Sequence, residues 1–315
     1  MKILPTTFIR SLIWIIKIAI VIAAGYFIYE KIFHSNNGDL HLLSDSFQGQ
    51  PGLFTGAFLL LFVNWGLEAW KWKLLLQDTM RITFFRALRS VLAGVTTGIF
   101  TPNRVGELGG RVFDLEEGHR LEAALLSMAG GLIQLSVTVL VAIPAAFIYH
   151  PGSKLHWPYM QLSLILSCLI PVGLCMLWFF RERLAAKAGK YLTLFKRQTA
   201  WYWIKIFFIS LLRYGVFTFQ FFLLLKAFHI DQSAAALIPE IALVFFTTAL
   251  IPTFALTEIG VRVFAAGFFI GTNKADTDLV WTASLLLWII NIALPALAGA
   301  VFVLKINLWK RKKEI

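Results

Sequence analysis

Glu107-Leu-Gly-Gly-Arg-Val-Phe113 and Glu258-Ile-Gly-Val-Arg-Val-Phe264 are two copies of one pattern, 151 residues apart in a chain of 315. Five of the seven positions coincide: Glu107/Glu258, Gly109/Gly260, Arg111/Arg262, Val112/Val263 and Phe113/Phe264. Each copy follows a proline break, Thr101-Pro102-Asn103 or Ile251-Pro252-Thr253, that closes an apolar segment, 86–101 or 237–256. The first segment makes roughly 24 Å of helix, short of the hydrocarbon core of about 30 Å. Each break with its partly charged continuation therefore reads as a re-entrant helical hairpin, turned at the proline.

Six longer apolar runs surround these hairpins: 11–29, 53–72, 121–148, 158–180, 203–228 and 278–304. The chain is 58% hydrophobic and 15% charged, with mean hydropathy +0.74. Soluble domains run about 45–50% apolar and about 25% charged, so a soluble fold and a disordered chain are both excluded. The order span, span, hairpin, span occurs twice, starting inside and then outside, which is an inverted-topology repeat. The expected fold is an all-α integral membrane protein with six spanning helices and two re-entrant hairpins. Residues 1–315 form one membrane domain, with 1–148 and 158–304 as its repeats.

The net charge of +12 could suggest nucleic acid, but the placement of the charges argues against such a partner. Of the 29 Lys and Arg, 22 fall in the regions 1–10, 71–120, 181–205 and 305–315, and four in the regions opposite. That split is the positive-inside pattern of a cytoplasmic membrane protein with both termini cytoplasmic. The stretch Ser11–Tyr29 is long for a signal peptide, contains Lys17 and lacks a small-x-small cleavage site, so it reads as a retained span. Cys168 and Cys175 lie seven apart in one apolar run, a spacing that excludes a disulfide between them.

Ionisable groups at membrane depth are costly and point to function. The densest set is Arg104, Glu107 and Arg111 in the first hairpin with Glu258 and Arg262 in the second. The four-residue spacing within Glu107–Arg111 and within Glu258–Arg262 puts each pair on one helix face, glutamate first. Two uses compete: charge neutralisation inside the hairpin, or an arginine grip on an anionic headgroup where the repeats meet. Arg213 lies too deep in its span to reach the interface and needs a carboxylate such as Glu68, Glu240 or Glu258, or a place on the substrate path. Asn64, Glu68, Gln134 and Asn291 are polar residues suited to interhelical hydrogen bonds. Gly130-Gly131 and Ala296, Gly299 and Ala300 suit close helix packing.

Signs of enzyme chemistry are few. All six histidines fall in expected loops, and neither a HExxH sequence nor a Walker-type loop occurs, so neither metal nor nucleotide cofactor is expected. Asp276-Thr277-Asp278 has the shape of a glycosyltransferase D-x-D, but it precedes a span, where Asp278 reads as a helix N-cap.

The hairpin motifs resemble the transmembrane region of lysylphosphatidylglycerol synthases, a flippase-like family found alone or fused to an aminoacyl-transfer domain. Pro102-Asn103-Arg104-Val105-Gly106-Glu107-Leu108 is similar to its P-G-R-x-G-E-hydrophobic motif, with Asn103 in place of the glycine. The second signature, G-G-x-G-x-R-E after a proline, is matched at Pro252, Gly260 and Arg262. Thr257, Glu258 and Val263 depart from it, and Arg111 falls one residue late in the first motif. The resemblance implies movement of an anionic or modified phospholipid, or a lipid-linked precursor, between leaflets. Only residues 305–315 follow the last run, so a fused synthase domain is not expected. The alternatives are an integral membrane transferase acting on a polyprenyl-phosphate or phospholipid, and a non-catalytic subunit serving a separate lipid-modifying enzyme.

Overall fold

The computed structural model describes residues 49–99, 101, 104–149, 198–251, 255–271 and 274–305. Every regular element among them is a helix: α1 (Pro51–Leu75), α2 (Phe84–Gly98), α3 (Gly106–Val112) and a 3-10 turn (Glu117–His119) leading into α4 (Arg120–Ile148). The second half contributes α5 (Ala200–Ala227), α6 (Ala234–Leu250), α7 (Ala255–Ile270) and α8 (Lys274–Trp288). A π-helical turn (Ile289–Ala293) continues α8 into α9 (Leu294–Lys305).

Four stretches are long and apolar enough to cross a membrane: Pro51–Leu75, Glu117–Ile148, Ala200–Ala227 and Asp276–Leu304. They match four of the six apolar runs. The runs 11–29 and 158–180, both cysteines and the basic tail lie outside the described residues. Phe62, Leu132 and Phe208 project outward from α1, α4 and α5, while Asn64, Glu68 and Lys71 are buried on the inner face of α1. Apolar residues outside and charge within suit a protein whose solvent is hydrocarbon.

Local chemistry sets the helix starts. Pro51 occupies the first turn of α1, where its missing N–H costs nothing. The hydroxyls of Thr83 and Thr199 cap α2 and α5, each accepting from a backbone N–H at 3.3 Å. Lys274 begins α8, so Asp276 and Asp278 lie within its first turns and neither is an N-cap, as Asp278 was expected to be. There both acids favour the positive end of the helix dipole. Sequence reading also assigned Lys71 to an inside loop. In fact α1 continues to Leu75, and Lys71 is buried against Glu68 at 2.7 Å.

The two shorter helix pairs, α2–α3 and α6–α7, are interrupted between Gly98 and Gly106 and between Leu250 and Ala255, and within each pair the helices pack together. Around the first break, the Thr97 hydroxyl donates to the Gly106 carbonyl, and the Gly106 N–H donates to the Thr101 hydroxyl, both at 2.7 Å. Gly110 lies so close to α2 that a Cβ there would collide with the Thr97 hydroxyl oxygen and the Ala93 carbonyl. The bases of both pairs are tied as well. Arg86 in the first turn of α2 bonds Asp114 after α3 at 3.0 Å, and Gln232 before α6 donates to the Ile270 carbonyl at 2.9 Å. Packing between the halves is reciprocal: α2 lies on α9, α6 lies on α4, and α1 and α5 meet between them. Gly299 lets α9 approach the Leu92 carbonyl on α2, and the Thr96 hydroxyl donates to the Ala296 carbonyl at 2.7 Å, as the small-residue reading expects.

Candidate functional site

Polar residues on the inner helix faces are spaced so that one cluster forms at mid-depth. On α1, Asn64, Glu68 and Lys71 recur at helical spacing, and on α5 Arg213, Tyr214 and Phe217 do the same. Glu68 is the hub of the first charge group: its carboxylate meets Lys71 at 2.7 Å, Arg111 at 2.8 Å and Arg213 at 3.3 Å. Arg111 also reaches Glu107 at 3.2 Å, four residues back on its own helix. Gln134 of α4 joins this group. Its side-chain carbonyl accepts from Lys71 at 3.4 Å and from Arg213 at 3.5 Å.

The second group joins the two short pairs. Arg104, two residues before α3, meets Glu258 of α7 at 3.5 Å, and Arg262 meets the same carboxylate at 2.6 Å. Arg104 adopts a left-handed backbone conformation (φ 56°), which costs a residue with a side chain roughly 1–2 kcal/mol. Strain of this kind gathers at working sites, where the surroundings hold it in place.

Between the groups lies a crevice of about 520 Å³. Arg104, Arg213, Glu258 and Arg262 line it, and so do Trp65, Tyr214, Phe217 and Phe245, giving one basic and one aromatic wall. Arg213 stacks over Trp65 at 5.5 Å and Arg262 over Phe217 at 5.6 Å, so the arginines are also held by ring faces. Arg104 Nη2, Arg213 Nε, and Arg262 Nε and Nη1 are buried without a hydrogen bond among the described residues. Buried donors are seldom left so, and an oxygen-rich ligand would satisfy them.

The structure thus brings four of the six expected site residues to one crevice: Arg104, Arg213, Glu258 and Arg262. Glu107 and Arg111 stand outside its lining, in the Glu68 group. Of the carboxylates offered for Arg213, the structure selects Glu68. Taken together, Lys71, Arg104, Arg111, Arg213 and Arg262 face Glu68, Glu107 and Glu258, an excess of two positive charges.

A chain of amides braces the floor. Asn64 donates to Asn291 at 2.8 Å, Asn291 to Gln220 at 2.9 Å, and Gln220 to the Ala57 carbonyl at 2.7 Å. Asn291 sits in the π turn and also donates to the Leu287 carbonyl at 3.2 Å, in the region where the wider turn disturbs the α-helical pairing. Sequence reading expected interhelical bonds from Asn64, Gln134 and Asn291, and they form. It did not find Lys71, Gln220 or the aromatic wall. The first two were legible in principle, Lys71 as the next member of the Asn64–Glu68 stripe and Gln220 as a polar residue inside a span.

A helical bundle with apolar outer faces and charges gathered around an internal crevice defines the chain as a multi-pass membrane protein. It belongs to the lysylphosphatidylglycerol synthase TM region family, whose model matches residues 14–299. No curated protein and no solved structure shows significant similarity to it.

Proposed function

We propose that this protein is a flippase-like transporter that moves an anionic or modified phospholipid, or a lipid-linked precursor, between leaflets of the cytoplasmic membrane. One observation carries the reading: arginines from two separate helix pairs and from α5 meet at one crevice with unbonded N–H groups. Arginine forks suit phosphate oxygens, and the aromatic wall suits the first apolar part of a lipid. Arg104, Arg213 and Arg262 grip the phosphate, and Glu258 holds Arg104 and Arg262 in place. The Glu107–Arg111 pair and Glu68 set the position of Arg213 from behind.

In this reading α2–α3 and α6–α7 are re-entrant hairpins entering from opposite faces, within two inverted repeats of three spans each. Support comes from the twofold order of long helix, short pair and long helix, and from the reciprocal packing of each short pair on the other half. Both termini are cytoplasmic, as the basic residues demand. A separate lipid-modifying enzyme is the natural supplier of the lipid.

The test is reconstitution into vesicles with a headgroup-labelled anionic lipid, following its loss from one leaflet. Arg262→Gln should slow movement about tenfold or more, the scale of one lost charge-assisted contact. Lys205→Gln, on an exposed part of α5, should leave the rate unchanged. Equal rates for wild type and Arg262→Gln would refute the reading.

A further inference from the structure

Resting on the transporter reading, we infer that the crevice selects a lipid headgroup bearing two negative charges, a terminal phosphate monoester, and rejects an aminoacylated, cationic headgroup. Charge is the first ground. The two ion groups on either side of the crevice together hold five cations and three carboxylates, so an occupant of charge minus two brings the site to neutrality. A phosphate monoester carries about −1.5 to −2 at neutral pH, whereas a phosphodiester carries a single charge. Neutrality matters here because uncompensated charge at membrane depth is costly.

The second ground is what an ammonium would find. Glu258 is the only carboxylate among the described lining residues, and Arg104 and Arg262 already engage it. Three of the four rings at the crevice are engaged too: Trp65 by Arg213, Phe217 by Arg262, and Phe245 by stacking on Phe217 and Phe221. Lysylated phosphatidylglycerol, with two ammonium groups and one phosphodiester, would add positive charge where an excess already exists.

The third ground is the supply of donors. Arg262 is 94% buried, and its Nε and Nη1 have no hydrogen-bond partner among the described residues. Arg104 Nη2 and Arg213 Nε are buried and unbonded among those residues as well. A terminal phosphate offers three oxygens to such donors, where a diester offers two unbridged ones.

The experiment is a titration of the full chain in detergent at pH 7, read by native mass spectrometry. The probes are dioleoyl phosphatidic acid, a polyprenyl monophosphate, phosphatidylglycerol, lysylphosphatidylglycerol and inorganic pyrophosphate. The two dianionic lipids should bind about tenfold or more tighter than phosphatidylglycerol, with lysylphosphatidylglycerol weakest. Arg262→Gln should erase the preference between monoester and diester. Arg262→Lys should keep part of it. Equal binding of phosphatidic acid and phosphatidylglycerol, or tightest binding of the lysylated lipid, would overturn the assignment. Inorganic pyrophosphate should compete weakly, and competition equal to that of the lipids would overturn the lipid source in favour of a free anion. A dianion preference without transbilayer movement would keep this assignment and sink the transporter reading. Movement of phosphatidylglycerol with no such preference would do the reverse.

Discussion

Replacing Glu68 by glutamine keeps the shape of the side chain and removes the one negative charge that Lys71, Arg111 and Arg213 share. At an effective dielectric of about 20, a charge pair near 3 Å is worth roughly 5 kcal/mol of Coulomb attraction, most of it offset by desolvation. The net loss is set by the cations left behind. Lys71 and Arg111 have side chains only 2% and 9% exposed, so neither recovers its hydration in place. Stranding a buried partner costs about 3–5 kcal/mol, and Glu68→Gln should lose stability on that scale. Lys71→Met alone should cost far less, because Glu68 keeps its two arginines. The double variant Glu68→Gln/Lys71→Met should be more stable than Glu68→Gln, with a coupling of about 1–3 kcal/mol in the cycle. Reversible unfolding in mixed micelles measures all four proteins. A Glu68→Gln variant within about 0.5 kcal/mol of wild type would show that water, not these ion pairs, satisfies the cluster, and the reasoning would fail.

Gly110→Ala should destabilise the α2–α3 pair by about 1–3 kcal/mol, seen in the same unfolding assay, because its Cβ has no room beside Thr97 and Ala93. Asn291→Leu should cost about 1 kcal/mol by breaking the amide chain to Asn64 and Gln220, the usual scale of a hydrogen bond between membrane helices. In a variant without its native cysteines, Asp231→Cys should react with an impermeant thiol reagent from outside the cell, and Glu117→Cys should not. Labelling of both from one side would refute the assigned topology. Arg262→Gln should abolish most lipid movement while the protein still inserts, as followed in vesicles.

The membrane class, four spans within a few residues, the two proline breaks and the family were legible because each depends on local pattern. Hydropathy over twenty residues, a proline, and the P-N-R-V-G-E run at 102–107 need no knowledge of neighbours. Helix limits moved by two to four residues where caps and first-turn residues decide them, as at Thr83 and Lys274. The Glu107–Arg111 and Glu258–Arg262 pairs were also local, since helical spacing alone brings them together.

Which partners those charges chose beyond their own helices was not local. Glu258 takes Arg104 from 154 residues away, and Glu68 takes Arg111 and Arg213 from α3 and α5. Sequence spacing assigns Arg111 to Glu107, yet the shorter contact is to Glu68, because α3 packs against α2 and presents that arginine to α1. The same packing withdraws Arg111 from the crevice and leaves Arg104 in it. A sequence carries the cost of each buried charge at its own position. Only the packed helices decide which opposite charge meets it, because that choice is made across distances the local pattern does not span.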